Sequence, residues 1–242
     1  MSEEKKDKKD KESEDFEILP DDYQIYDISF KLIVIGDSGV GKSCLTMKAT
    51  KNIFENYYSP TIGFEFCTFV IRIKDKIVRL QIWDTCGQEV YRSLINGFYH
   101  NSSLAILVYS IDKIQSFKNL ETWLNDIKIN SSPDIKIFLI GNKKDLEEKR
   151  EVPNDKAKNF YKEHGLYKFM EASAKTGLNA QKIFIDAARV LLEENEKAKE
   201  KLNKEKNKKD NINEIKKIKL NLEDDSINDS NEQDRNKRNN CC

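Results

Sequence analysis

One stretch restricts what this chain can fold into more than any other: Phe30-Lys31-Leu32-Ile33-Val34-Ile35-Gly36-Asp37-Ser38-Gly39-Val40-Gly41-Lys42-Ser43-Cys44-Leu45-Thr46. It is an apolar, β-branched run, then glycines closed by a Lys-Ser pair, then a helical pattern. Leu32 to Ile35 are hydrophobic without alternation, as a central parallel strand buried on both faces must be. The glycines let the backbone wrap a small anion with no Cβ in the way. A polyphosphate needs several N–H donors converging at close range, and the loop from Asp37 through Ser38, Gly39, Val40 and Gly41 into Lys42, Ser43 and Cys44 is the expected cradle. Lys42 adds a positive charge for the outer phosphates. Ser43 opens the following helix, so its hydroxyl reaches Mg²⁺ while the helix N–H groups and dipole face the anion. Gly36-x4-Gly41-Lys42-Ser43 is a Walker A loop.

At 242 residues the chain suits one domain with additional segments. Its 42 basic and 42 acidic residues balance overall but not locally. Residues 1–28 form a charged leader, rich in acids, poor in apolar residues until Phe16, Ile18 and Leu19, and expected to be mostly disordered. Residues 193–242 form a Lys-, Asn- and acid-rich tail without a packable pattern, read as a flexible tether. The middle is left mildly basic, which suits a phosphate-binding surface and does not argue for nucleic acid. No stretch is long and apolar enough to span a bilayer, the charged start lacks a signal-peptide core, and Ser2 is not the glycine that myristoylation needs. The chain is therefore expected in the cytosol, with Cys44, Cys67 and Cys86 reduced.

Between the ends, strands and helices alternate. After the helix from Ser43 to Ile53, Gly63–Ile73 and Ile77–Trp83 read as two strands joined by the polar turn Lys74-Asp75-Lys76. Leu104–Tyr109 and Ile137–Ile140 read as buried parallel strands, and Ser116–Asn130 between them as one amphipathic crossover helix. A helix over Asn154–His164, a strand over Phe169–Glu171 and a last helix through Ile183 and Leu191 complete the pattern. The predicted fold is α/β: a doubly wound, mostly parallel six-stranded sheet with one antiparallel hairpin strand, a P-loop NTPase domain over residues 29–192. Its ligand belongs at the carboxyl ends of the strands.

Asn142-Lys143-Lys144-Asp145 follows one of those strands almost directly. A carboxylate there accepts from both N1–H and the 2-amino group of guanine, donors that adenine lacks. Asn142 reaches O6 or N7, the stem of Lys143 covers the ring, and Ser173-Ala174-Lys175 after the next strand presents an N–H to O6. The pattern favours guanine; an ATP-using P-loop enzyme is the disfavoured alternative. His100 and His164 have no partners at metal-ligand spacing and are placed in no metal site.

Taken in order, Gly-Asp-Ser-Gly-Val-Gly-Lys-Ser, Ser-Pro-Thr-Ile-Gly, Trp-Asp-Thr-Cys-Gly-Gln-Glu, Asn-Lys-Lys-Asp and Ser-Ala-Lys resemble the five nucleotide motifs of a Ras-superfamily small GTPase. Ile62-Gly63-Phe64-Glu65-Phe66, Leu80-Gln81-Ile82-Trp83-Asp84 and Leu107-Val108-Tyr109-Ser110 are similar to segments that mark the Rab family. The resemblance spans about Phe30 to Leu192. It implies a monomeric GTP hydrolase that binds GTP and GDP with Mg²⁺ and regulates vesicle traffic from the cytoplasmic face of an intracellular membrane, cycling with the cytosol.

Residue roles follow from the same resemblance. Ser43, Thr61 and Asp84 hold the metal, with Thr61 also meeting the γ-phosphate through its N–H, as Gly87 does. Loss of that phosphate should loosen residues 54–63 and 85–99 together. Gln88 orients the attacking water, with Lys42 and Thr61 completing the catalytic set. Phe54 covers the guanine edge or is a core residue at the helix end. Phe66, Trp83 and Phe98 match the exposed triad that docks effectors, a core role for one of them remaining open. Further partners implied are an exchange factor, an activating protein that supplies an arginine, a GDP-dissociation inhibitor and a prenylation escort. Cys241-Cys242 resembles a double geranylgeranyl site, the membrane anchor.

Two positions depart from the family pattern. Cys86 stands where alanine is usual, and either slows switch closure and hydrolysis, leaving a GTP-binding scaffold, or is inert. Val90-Tyr91 replaces an Arg-aromatic pair, which bears on effector and exchange-factor identity.

Overall fold

The computed structural model describes residues 15–55, 61, 63–87 and 97–206. The chain divides after Leu192 into two compact units.

In the first unit, seven strands form one sheet: β1 (Phe16–Leu19), β2 (Ile28–Ile35), β3 (Phe64–Ile73), β4 (Lys76–Thr85), β5 (Leu104–Ser110), β6 (Lys136–Asn142) and β7 (Lys168–Glu171). Their order across the sheet is β1-β3-β4-β2-β5-β6-β7. β2 pairs in parallel with both β4 and β5, and β5, β6 and β7 continue in parallel. β3 and β4 form the antiparallel hairpin, with Ile73 opposite Lys76 and Lys74 in the left-handed conformation at the turn. The helices are α1 (Lys42–Lys51), α2 (Ile114–Lys118), α3 (Leu120–Asn130), α4 (Asn154–Glu163) and α5, which begins at residue 180 and reaches the end of the unit.

Alternation along the central strands explains the two layers. Leu32 and Val34 of β2 join Leu45 of α1, Ile106 of β5 and Phe184 of α5 in one core. Ile33 and Ile35 join Leu107, Phe117, Leu124 and Phe160 in the other, under α2, α3 and α4. Every residue of β5 is buried, as an unbroken apolar run demands, and each fully buried aliphatic or phenyl side chain contributes about 1.5–3 kcal/mol. The fold class is the one read from the sequence.

Two details differ from that reading. The sheet has a seventh strand rather than six, because the leader, expected to be mostly disordered, supplies β1. It pairs antiparallel with the outer edge of β3, Phe16 opposite Ile73 and Leu19 opposite Val70. Phe16 packs against the core with the Arg189 guanidinium 5.1 Å above its ring, and Glu17 pairs with Arg72 at 3.4 Å. An exposed edge is a liability that such a strand removes, and three apolar residues are enough to do it. The crossover helix is two helices, α2 and α3, broken at Asn119. Both edge loops of the site, after β2 and β6, leave the sheet at its carboxyl end, as expected.

In the second unit, residues 193–206 are helical and mostly exposed. Cys241 and Cys242 lie outside the described residues.

Candidate functional site

Between β2 and α1 the loop residues Gly36, Gly39 and Gly41 have φ values of 140°, 77° and 90°, a region that side chains resist. Space restricts two of them as well. A Cβ on Gly36 would lie 2.1 Å from the Val108 carbonyl oxygen, and one on Gly41 would lie 2.5 Å from Nδ2 of Asn142. No side chain caps the start of α1, so the first N–H groups of the helix are left for an anion. Lys42 is buried in the loop, its Nζ donating to the carbonyls of Gly36 and Asp37 at 2.9 Å each. Burial pulls its pKa down against the opposing pull of Asp84, Asp37 and Cys86.

The Asp37 carboxylate turns away from the loop's concave side. It accepts from Asn119 Nδ2 at 2.7 Å and from the Trp123 indole N–H at 2.8 Å, tying the loop to the break between α2 and α3. Asp37 is therefore a structural anchor of the cradle through its side chain, a role that no periodicity signalled. The one clue was that a buried tryptophan N–H needs an acceptor.

At the metal end, Ser43 and Thr61 place their hydroxyl oxygens 2.8 Å apart. Both Asp84 oxygens are buried without a hydrogen-bond partner among the described residues. Burial raises the Asp84 acid to about 7, although the Ser43 hydroxyl and Lys42 pull the other way. An orphaned carboxylate beside two hydroxyls is a hard-oxygen set that fits Mg²⁺. Gly87 closes on this end, since a Cβ there would meet Ser38 N at 2.4 Å and Lys42 Nζ at 2.5 Å.

At the other end, Asn142 is buried and committed to the protein. Its Nδ2 donates to the Val40 carbonyl at 2.9 Å and its Oδ1 accepts from the Ala174 N–H at 3.2 Å. It joins the phosphate loop to the 173–175 loop and also lines the cavity between them. Ser173 donates to Asp145 Oδ1 at 2.5 Å, fixing one carboxylate oxygen. Lys143 sits at φ 64°, its Nζ 3.7 Å from Asp112. Glu171 binds Arg150 through two bonds of 2.8 and 2.9 Å. Burial acts to raise its pKa, but Arg150, Asn154 and Lys144 outweigh it and hold the carboxyl below its ordinary value.

These parts surround a cavity of about 440 Å³. Of the seventeen residues expected at the nucleotide, all but Asp37, Val40 and Ser173 line it, and those three act through the contacts just described. Glu55 and Leu146 line it too and were not foreseen. Phe54 packs against the core, one of its two readings, and also lines the cavity. Gln88 and Val90-Tyr91 lie outside the described residues. Cys86 is buried with Ile33, Ile35 and Leu107, and its N–H donates to the Gly63 carbonyl at 2.9 Å. Its thiol fills the core and does not line the cavity.

Trp83 carries the second surface feature. Its ring lies 5.2 Å from Phe66 and 5.0 Å from Phe98. Phe64, which the sequence reading left out, joins them at 5.3 Å from Trp83 and 4.5 Å from Phe98. Phe64 and Phe66 are 46% and 47% exposed, whereas Phe98 is half-buried and packs against the core, the role left open for one of the three.

Among models of known protein families, that of the Ras family matches residues 31–193. The match takes in every loop of the cavity and the aromatic cluster between them.

Proposed function

We propose, from the premise that this chain belongs to the Ras family, that it is a Rab-like switch recruiting effectors to an intracellular membrane in its GTP state. As a member it is a GTP hydrolase that binds GTP and GDP with Mg²⁺. The observation that carries the finer reading is the ring cluster of Phe64, Phe66, Trp83 and Phe98, whose first two members are nearly half exposed. It lies on and beside the β3–β4 hairpin, which joins the strand after Thr61 to the strand before Gly87. Exposed aromatics of this kind suit a protein interface.

The loop after β2 and the start of α1 bind the phosphates, and Lys42 meets the outer oxygens. Ser43, Thr61 and Asp84 hold Mg²⁺, which when bound neutralises charge on the transferring phosphoryl group. Thr61 and Gly87 meet the γ-phosphate through their N–H groups, so its loss releases the segments on either side of the hairpin. Gln88 orients the water. A partner supplies the arginine that speeds hydrolysis, by about 10³- to 10⁵-fold in enzymes of this chemistry. An exchange factor, a GDP-dissociation inhibitor and a prenylation escort complete the cycle. Geranylgeranyl groups on Cys241 and Cys242 provide the anchor, two chains holding where one does not.

Two experiments test this reading. A tagged chain should concentrate on an internal membrane, and the same chain without Cys241 and Cys242 should be diffuse; identical distributions would overturn the anchor. Single-turnover GTP hydrolysis should be slow alone and slower still in Gln88→Leu, and equal rates would remove Gln88 from its role.

A further inference from the structure

We infer that Arg150 and Glu171 form a strap that positions the Asp145 carboxylate, which makes this pair a determinant of guanine selectivity and of the rate at which the nucleotide leaves. The inference rests on guanine being the base that Asp145 reads.

Asp145 lies on a 3₁₀ helix, Lys144–Lys149, in which no residue is buried and Leu146 departs from helical geometry. Such turns are weak on their own account, and no side chain of this one is buried in the core. Polar ties hold it in three places. At its start, the Lys144 N–H donates to the Ala172 carbonyl at 2.9 Å. In the middle, Ser173 holds one oxygen of Asp145. At its end stands Arg150.

All five donors of that guanidinium are used. Nε and Nη2 donate to Glu147 at 2.8 Å each, on the 3₁₀ helix itself. Nη1 and Nη2 donate to Glu171 at 2.8 and 2.9 Å, and Nη1 also donates to the Val152 carbonyl at 2.9 Å. Lys144 Nζ approaches the same Glu171 at 3.0 Å. The side chains of Arg150 and Glu171 are only 14% and 10% exposed, so solvent screens them little. Glu171 is the last residue of β7, in register with Gly141, one residue before Asn142. One carboxylate thus ties the exposed turn that carries Asp145 to the rigid sheet. Lysine at 150 would keep the charge but not the fork.

The test compares release of GDP with release of inosine diphosphate from the full, Mg²⁺-loaded chain. Inosine lacks the 2-amino group, so only GDP gains from both bonds to Asp145. In Glu171→Gln and in the milder Arg150→Lys, GDP should leave about tenfold faster, as loss of one charged hydrogen bond would produce. Inosine diphosphate keeps N1–H and loses only that one bond, so its release should speed up by a smaller factor than that of GDP, and the preference for GDP shrinks. Unchanged GDP release in both variants would overturn the strap. So would equal acceleration of the two nucleotides, the sign of a general loosening. A parent chain that released both alike would remove the guanine reading itself, and the strap with it.

Discussion

The base end and the metal end of one cavity are built in opposite ways. At the base end nearly every polar side chain has a partner within the protein: Asn142 with Val40 and Ala174, Asp145 with Ser173, Arg150 with Glu147 and Glu171. At the metal end the Ser43 and Thr61 hydroxyls have each other, and both oxygens of Asp84 are buried with no hydrogen bond among the described residues. Paired groups are preorganised and need no ligand to hold their shape; orphaned ones carry a desolvation penalty that a cation removes. The difference teaches that base selectivity belongs to the folded chain, while the phosphate end is completed by what binds there. That division suits a switch, in which one end must stay constant and the other must respond.

The largest expected effect breaks the constant end. Asp145→Asn should cut affinity for GDP by about 10⁴-fold, because a site built to pair with hydrogen-bond donors rejects a ligand it no longer matches. It should gain xanthosine diphosphate, whose O2 accepts from the new amide. Competition binding with the two diphosphates decides this, and unchanged guanine preference would mean that Asp145 does not read the base.

Next in size is the orphaned carboxylate of the responsive end. Burial sets the Asp84 pKa at about 7, against 3.8 for an ordinary aspartate. Because the folded value lies above the unfolded one, the folded state holds a proton between those values that the unfolded state has lost. Its stabilising contribution is full below pH 3.8 and is lost as pH rises through about 7. At about 1.4 kcal/mol per pKa unit this amounts to roughly 4 kcal/mol for the chain freed of metal and nucleotide. Urea unfolding at several pH values in chelator should show the decline, and Asp84→Asn should flatten it. A slope equal in both proteins would mean that another group is responsible.

Much of this was legible in the sequence because it depends on local pattern. The glycine spacing of the phosphate loop, the unbroken apolar strands and the acidic residue just past β6 each follow from short-range rules, and all led to the right elements. What escaped depends on contacts between residues far apart in the chain. Asp37 meets Asn119 and Trp123 across more than eighty positions. Arg150 and Glu171 are twenty-one apart, and no short-range pattern joins them. β1 was missed because three apolar residues in an acidic leader give no periodicity, and only the unpaired edge of β3 gives them a purpose.

A smaller effect sharpens the comparison from the phosphate side. Trp123→Phe keeps the ring volume approximately and removes the 2.8 Å bond to Asp37. A hydrogen bond to a charged group is worth about 1.5–3 kcal/mol, so nucleotide should leave about tenfold faster, with Asn119 still holding the other oxygen. Here GDP and inosine diphosphate should accelerate equally, the reverse of the outcome expected at Arg150, because the phosphates are the part both share. Stopped-flow release of the two would show it, and a selective loss for GDP would mean that the two ends are not independent.

The smallest effect concerns an exception at the well-paired end. The Tyr109 hydroxyl is buried beside the glycine that precedes Asn142, a Cβ on Gly141 falling 2.6 Å from it, and it has no hydrogen-bond partner among the described residues. Burial above all, then the Glu171 carboxylate, drives its pKa well above that of ordinary tyrosine, with Arg150 opposing. An unpaired buried hydroxyl costs about 1–3 kcal/mol. Tyr109→Phe should therefore stabilise the chain by about 1 kcal/mol, raising the melting temperature by roughly 2–4 °C for a domain of this size. The ring stays in place, edge-on to Phe117 at 5.2 Å, so the core is not reopened. GDP release should not change, since the hydroxyl makes no bond to the strap or to Asp145. If release changed while stability did not, the hydroxyl would belong to the base end's network after all, and the contrast between the two ends would have to be drawn one residue deeper in the sheet.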